Sequence, residues 1–176
     1  MSETTYLERA ARVKLMIFDV DGVLTDGSLH YGADGEALKT FNVQDGLGIK
    51  LIQEAGIQTA IISARTSPQV IKRAADLGIS HLHQGGHDKL TPFNALLEKT
   101  GLTAEQVGFI GDDIVDLPIL TRVGFAVAVP GGRKEVLERA HHTTVAQGGR
   151  GAVREVCELL LQAQGTHAAV VAQFMV

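Results

Sequence analysis

Apolar positions fall into short unbroken runs separated by stretches of helical spacing. Leu15, Met16, Ile17 and Phe18, followed by Val20, form the first run, and it breaks at Asp19-Val20-Asp21-Gly22. A short apolar run ended by glycine predicts a buried strand entering a turn. Comparable runs at Ile57–Ser63, Ile79–His83, Val107–Ile110, Gly124–Val129 and Thr143–Ala146 predict further strands. Helices are predicted between them over Asp45–Ala55, from Ser67-Pro68 to Leu77, over Asp88–Thr100, Lys134–Ala140 and Ala152–Gln164. Gly56, Gly78, Gly101 and Gly165 supply their stops, and Pro68 suits a first turn. Thr103-x-x-Gln106 has the spacing of a capping box for a single turn. Residues 114–122 predict a short helix with Pro118 in its first turns. Residues 1–14 read as a short helix or a frayed tail.

One segment departs from this rhythm. Asp34-Gly35 lies between the short runs Leu29–Tyr31 and Leu38–Phe41, which is a hairpin signal. The resulting fold class is α/β: a three-layer, Rossmann-like parallel sheet with a β-hairpin insertion at about residues 28–42 and no cap domain. No linker, repeat or low-complexity block divides the 176 residues, so one domain over 1–176 is expected. Residues 166–176 form an apolar tail with no obvious packing partner.

Composition narrows the function classes. A formal net charge of −4 leaves no basic footprint for nucleic acid. No apolar stretch approaches the roughly 18 residues of a membrane span. Met1 to Lys14 is polar and charged, unlike a secretory signal. The single Cys157 excludes an intrachain disulfide and suits a reducing, cytoplasmic location.

Chemistry gathers at the predicted strand ends, where open α/β sheets place their sites. Asp19 and Asp21 follow the first strand, and Gly111-Asp112-Asp113-x-x-Asp116 follows another. If both carboxylates serve one site, the chain is expected to be turning already at Asp21. Gly22 permits that turn. Converging carboxylates repel and raise one another's pKa unless a cation neutralises them. Oxygen ligands without supporting His or Cys favour Mg²⁺. Asp112 and Asp113 equally suit a helix cap. Ser63, ending an apolar strand before Ala64-Arg65, has a hydroxyl and neighbouring N–H groups suited to phosphate, although a plain loop fits too. Lys89 stands early in a helix, where the dipole disfavours a cation. His81-x-His83-x-x-x-His87 and His141-His142 lack nearby Cys and make a poor zinc site.

Asp19-Val-Asp21-Gly-Val-Leu-Thr25, Ser63, Lys89 and Gly111-Asp112-Asp113-x-x-Asp116 resemble, in order, the four motifs of the haloacid dehalogenase superfamily. Asp19–Gly27, Phe41-Asn-Val-Gln-Asp-Gly46, Gly111–Pro118 and Gly148-Gly-Arg-Gly-Ala-Val-Arg-Glu155 further resemble its 3-deoxy-D-manno-octulosonate 8-phosphate phosphatase family. The resemblance implies a Mg²⁺-dependent phosphatase of lipopolysaccharide precursor synthesis. Asp19 is then the nucleophile and Asp21 the general acid and base. Asp19, the backbone carbonyl of Asp21, and Asp112 hold the metal. Ser63 and Lys89 bind phosphate, and Asp116 and Asp113 orient Lys89 and metal-bound water. Ala64 departs from the Gly of many relatives, and Val23 from a Thr common elsewhere in the superfamily.

The substrate so implied is a small sugar acid phosphate, and Arg65 and Arg150 are the cations expected at its carboxylate. The hairpin is too small for a lid, so the resemblance implies a homotetramer with the lid, including the C-terminal tail, supplied by a neighbouring subunit. Alternatives are a phosphatase of N-acylneuraminate 9-phosphate or a related sugar acid, and a non-catalytic regulatory subunit that keeps the fold. The absence of G-x-G-x-x-G after the first strand argues against a dinucleotide oxidoreductase.

Overall fold

A computed structural model of the chain describes residues 3–175. The strands are β1 Leu15–Phe18, β2 His30–Gly32, β3 Gly35–Leu38, β4 Gln58–Ser63, β5 His81–Gln84, β6 Val107–Gly111, β7 Phe125–Ala128 and β8 His142–Thr143. The helices are α1 Glu3–Ala10, α2 Val43–Glu54, α3 Pro68–Leu77, α4 Leu90–Thr100, α5 Leu117–Leu120, α6 Lys134–Leu137, α7 Ala152–Ala163 and α8 His167–Ala172. Short helical turns at Val20–Leu24, Ala104–Gln106 and Ile114–Asp116 complete the elements.

Six parallel strands form one sheet in the order β5-β4-β1-β6-β7-β8, and β2-β3 form a separate antiparallel hairpin. Alternation along β1 splits the core between the two faces. Met16 and Phe18 pack with buried residues of α2, α3 and α7. Leu15 and Ile17 pack with Phe93 and Leu96 of α4, Ile119 and Leu120 of α5, and Val136 of α6. Full burial of each large side chain of this kind is worth ~1.5–3 kcal/mol, so helices on both faces hold the central strand rigidly. That is the predicted three-layer α/β fold. From β1 the chain passes the hairpin and α2 to β4 and β5 on one side, then crosses back to β6 on the other. Strand order therefore reverses at β1, and the crevice lies beyond the carboxyl ends of β1, β4 and β6.

Several boundaries differ from the sequence expectation, each for a local reason. The second hairpin strand is Gly35–Leu38, not Leu38–Phe41, because Gly32 pairs with Gly35 directly across the Ala33-Asp34 turn. Phe41 instead leaves the hairpin to pack on the core, with the Arg73 guanidinium 5.7 Å above its ring. α2 begins at Val43 rather than Asp45 because the Asn42 side chain accepts from the N–H groups of Gln44 (2.7 Å) and Asp45 (3.3 Å). β5 starts at His81 rather than Ile79, whose N–H closes α3 onto the Ala74 carbonyl at 2.9 Å. α4 starts at Leu90, and Asp88 caps it through Leu90 and Thr91. β8 ends at Thr143 because the N–H groups of Val145 and Ala146 donate to the Glu155 carboxylate at 2.9 Å. The tail folds back as α8, with Val170 buried in the core that α7 shares, while Phe174 and Met175 remain exposed.

Candidate active site

Phe18 pairs with Ile61 of β4 and Ile110 of β6, so Asp19 emerges at the crevice between those strands. Its N–H donates to the Ile110 carbonyl at 3.1 Å. The chain then turns over Val20–Leu24, closed by the Thr25 N–H on the Val20 carbonyl at 3.0 Å. Gly22 takes φ +86°, and a Cβ there would lie 2.1 Å from Asp112 Oδ2. Glycine at this position satisfies both the left-handed backbone and the close approach of the Asp112 carboxylate. Gly148 packs as tightly from the other side: a Cβ on it would meet the Gly22 carbonyl oxygen at 1.7 Å.

At the base of the site, Lys89 is 1% exposed and bridges two carboxylates. Its Nζ lies 2.8 Å from Asp19 Oδ1 and 2.6 Å from Asp116 Oδ1. Asp116, fully buried, accepts with its other oxygen from the N–H groups of Asp112 (2.9 Å) and Asp113 (3.2 Å). One side chain thus fixes both the lysine and the loop after β6. Asp113 is exposed, and its carboxylate accepts from the N–H of Ile114 at 2.7 Å, capping the turn as the helix-cap alternative expected. The Lys89 ammonium pairs with Asp19 and Asp116 and not with Asp113, contrary to the expectation that Asp113 orients it.

Asp19, Asp112 and Asp116 bring one oxygen each within 4.8 Å of one another. Burial, then Asp116, pushes the Asp19 carboxyl up to about 8 against the pull of Lys89. Burial, followed by Asp116 and Asp113, raises Asp112 to about 7. Lys89 is held above its ordinary value because Asp19 and Asp116 outweigh its burial. Three carboxylates face one ammonium, and Asp112 Oδ1 is buried without a hydrogen-bond partner. That orphaned oxygen and the surplus negative charge fit a hard cation. Both oxygens of Asp116 are already engaged, which leaves Asp19 and Asp112 as the carboxylates free to ligate it. Among the described residues no histidine or cysteine joins this group. His141 Nδ1 accepts from the Ala126 N–H at 2.8 Å, and Cys157 is buried in the core.

Above this floor lies a cavity of about 380 Å³ lined by Asp19, Asp21, Ser63, Ala64, Arg65 and Lys89 among others. Ser63, 2% exposed at the end of β4, lines this cavity together with Asp19 and Lys89. Asp21 lines the same cavity but is not one of the three clustered carboxylates. Its Oδ1 pairs with Lys39, and its Oδ2 lies 3.7 Å from Arg65 Nε. Arg65 Nη2 donates to the Tyr31 hydroxyl at 3.2 Å, so the hairpin of the same chain reaches the rim. Arg150 lines an adjoining cleft of about 370 Å³ that shares Gly27 and Asp112 with the first, and it sits 3.5 Å from Asp26 Oδ2. Sequence reasoning passed over Lys39, which lies in no strand and whose only local signal is Glu36 three residues earlier. It also passed over Asp45, buried and accepting from the N–H groups of Arg154 (2.8 Å) and Gly151 (3.3 Å) at the start of α7.

A parallel sheet with an aspartate on each of two adjacent strand ends, a hydroxyl on a third and a buried lysine between carboxylates belongs to the haloacid dehalogenase-like hydrolases. A family model for these hydrolases matches residues 78–155. The 3-deoxy-D-manno-octulosonate 8-phosphate phosphatase of Escherichia coli K12 is 48% identical over 159 residues, covering 90% of this chain and 85% of that protein. A crystal structure of the enzyme of that name from Moraxella catarrhalis, in complex with magnesium ion, phosphate ion and KDO, superposes with a TM-score of 0.96. It is 42% identical and the match covers 98% of this chain and 99% of that one. The cobalt-bound form of the Haemophilus influenzae phosphatase matches with a TM-score of 0.91 at 44% identity, over 96% and 99% of the two chains. The chain belongs to the 3-deoxy-D-manno-octulosonate 8-phosphate phosphatase family.

Proposed function

We propose that this chain, acting as a single domain, hydrolyses 3-deoxy-D-manno-octulosonate 8-phosphate to the free sugar acid and phosphate, with Mg²⁺ as cofactor. The observation that carries the reading is the Lys89 bridge between Asp19 and Asp116 beside the orphaned Asp112 oxygen, a floor built for a cation and a phosphoryl group. Asp19 and Asp112, with the Asp21 backbone carbonyl, would hold the metal. When bound, Mg²⁺ supplies positive charge that keeps both carboxylates ionised and offsets the charge on the phosphoryl oxygens. Asp19 Oδ attacks phosphorus, the bond to the sugar oxygen breaks, and an aspartyl phosphate results. Asp21 gives the departing oxygen its proton and later takes one from the water that hydrolyses the intermediate. Ser63 and Lys89 donate to the phosphoryl oxygens as charge shifts, while Asp116 keeps Lys89 aimed. Arg65 and Arg150 serve the remote carboxylate of the substrate.

Phosphate release from a panel of sugar phosphates, with Mg²⁺ and with a chelator, tests this. We expect turnover of the octulosonate ester to exceed that of N-acylneuraminate 9-phosphate and to stop in chelator. Full activity in chelator, or no release from any ester, refutes it. Asp19→Asn abolishes turnover while the fold persists. Arg65→Ala lowers sugar phosphate turnover far more than that of an aryl phosphate, and equal losses would remove Arg65 from the substrate. The active form is a cytoplasmic homotetramer in which a neighbour completes the lid. Exposed Tyr31 and Leu38 on the hairpin and Phe174 and Met175 on the tail supply apolar surface for that assembly. A fully active monomer by size measurement would refute the shared lid.

A further inference from the structure

Lys39 belongs to none of the roles above, yet its side chain is 1% exposed and lies between two carboxylates. Its Nζ donates to Asp21 Oδ1 and lies 2.7 Å from Glu36 Oε1. Two carboxylates thus surround one ammonium, with a hydrogen bond to Asp21 and an ion pair to Glu36. A buried lysine is stable only where such partners compensate its lost hydration, so this contact is specific in geometry. The hairpin that carries Lys39 is itself anchored. Gln69 Nε2, in the first turn of α3, donates to the Ala37 carbonyl at 3.2 Å, and Ser67 Oγ donates to Gln69 Oε1 at 2.7 Å. The ammonium is therefore fixed to the same rigid layer that positions β4 and Ser63.

The two oxygens of Asp21 are treated differently. Oδ1 is taken by Lys39, whereas Oδ2 has only Arg65 Nε at 3.7 Å, beyond hydrogen-bond distance. Arg65 Nε is itself buried and unpartnered, because the guanidinium is drawn to the Tyr31 hydroxyl through Nη2. One oxygen is pinned and the other is left open toward a cavity that Asp21 lines together with Asp19 and Lys89.

We infer that Lys39 is a positioning residue for the reaction, fixing the rotamer of Asp21 so that Oδ2 is the oxygen that exchanges the proton with the leaving group. The inference rests on the phosphatase reading above. In the first step a phosphorus–oxygen bond forms to Asp19 as the bond to the ester oxygen breaks, and the proton that oxygen needs is delivered from Asp21 Oδ2, the oxygen Lys39 leaves open. An alkoxide departs poorly without the proton, whereas a nitrophenolate hardly needs it. Loss of Asp21 positioning should therefore harm alkyl esters selectively, and kcat/KM reports this first irreversible step.

The test compares kcat/KM of the wild type, Lys39→Met, Lys39→Arg and Glu36→Gln on a sugar phosphate and on p-nitrophenyl phosphate, all with saturating Mg²⁺. Misplacing a proton donor by an ångström costs up to ~100-fold, so Lys39→Met should lose ~30-fold on the sugar phosphate and under ~3-fold on the aryl ester. The sugar phosphate loss should appear in kcat rather than KM. Lys39→Arg, which keeps a donor, should recover most of it. Glu36→Gln loosens the hairpin pair without touching Asp21 and should leave the ratio between the two substrates near that of the wild type. Equal losses on both esters, or the same split in Glu36→Gln, would overturn the inference in favour of a purely structural role. Thermal melts of each variant separate misfolding from loss of the ratio, which is measured on the folded fraction of one sample with both esters. A wild type inactive on both esters would instead overturn the phosphatase reading itself.

Discussion

Asp116→Asn isolates the residue that ties the floor of the site together. The carboxylate accepts from Lys89 at 2.6 Å with one oxygen and from two backbone N–H groups at 2.9 and 3.2 Å with the other. An amide of the same shape has one acceptor oxygen and one donor nitrogen, so either orientation sets its NH₂ against existing donors. Breaking a buried ion pair costs ~3–5 kcal/mol. Lys89 keeps Asp19 as a partner, which places the loss at the lower end, near ~3 kcal/mol. At ~2–4 °C per kcal/mol for a chain of 176 residues, Tm should fall by ~6–12 °C. A second effect has the opposite sign. Asp116 is, after burial, the main group raising Asp19 and Asp112, so neutralising it lowers both pKa values. Carboxylates must be ionised to hold a cation, and the pH at which Mg²⁺ half-saturates the protein should therefore move down. Calorimetric melts and Mg²⁺ titrations across pH measure the two effects on one sample. A Tm within ~1 °C of wild type, or a binding midpoint that moves up, would refute the reasoning.

Metal-free stability should carry the signature of the raised carboxyls. Asp19 and Asp112 reach about 8 and about 7 in the fold against an ordinary 3.8, so the folded state holds the protons more tightly. Their contribution is full below pH 3.8 and is lost as pH rises through about 7 and 8. Denaturant titrations in chelator should give a steeper decline between those pH values for wild type than for Asp19→Asn, and parallel curves would contradict it. Mg²⁺ should accordingly stabilise more at pH 8 than at pH 6. Gly22→Ala should cost at least ~1–3 kcal/mol from the left-handed backbone alone, with the clash against Asp112 Oδ2 added. It should also weaken Mg²⁺ binding, and near-native stability with unchanged affinity would show that the turn relaxes freely.

Much of the molecule is local and was legible in the residues. Apolar runs of strand length, glycine stops and the Asp19-x-Asp21-Gly22 break depend on neighbours in the chain, so periodicity alone marks β1, β4, β6, α3 and α7. The carboxylates and Ser63 are likewise visible as chemistry at strand ends, which the rule for open sheets brings together, and Lys89 stands out as a cation at a helix start. Boundaries were lost where a distant group captured a backbone N–H: Glu155 withdraws Val145 and Ala146 from the last strand, and α8 folds back because Val170 finds the core. Only the tertiary structure separates Asp116 from Asp113, since both are acidic and adjacent to the motif, yet one is buried against Lys89 and the other caps a turn in solvent. Lys39 is the sharpest case. Its place beside Asp21 depends on the hairpin folding back over the turn, an arrangement between segments eighteen residues apart that no periodicity encodes. Sequence determines which groups are available and where strands end; long-range packing decides which of those groups are dehydrated, paired and aimed.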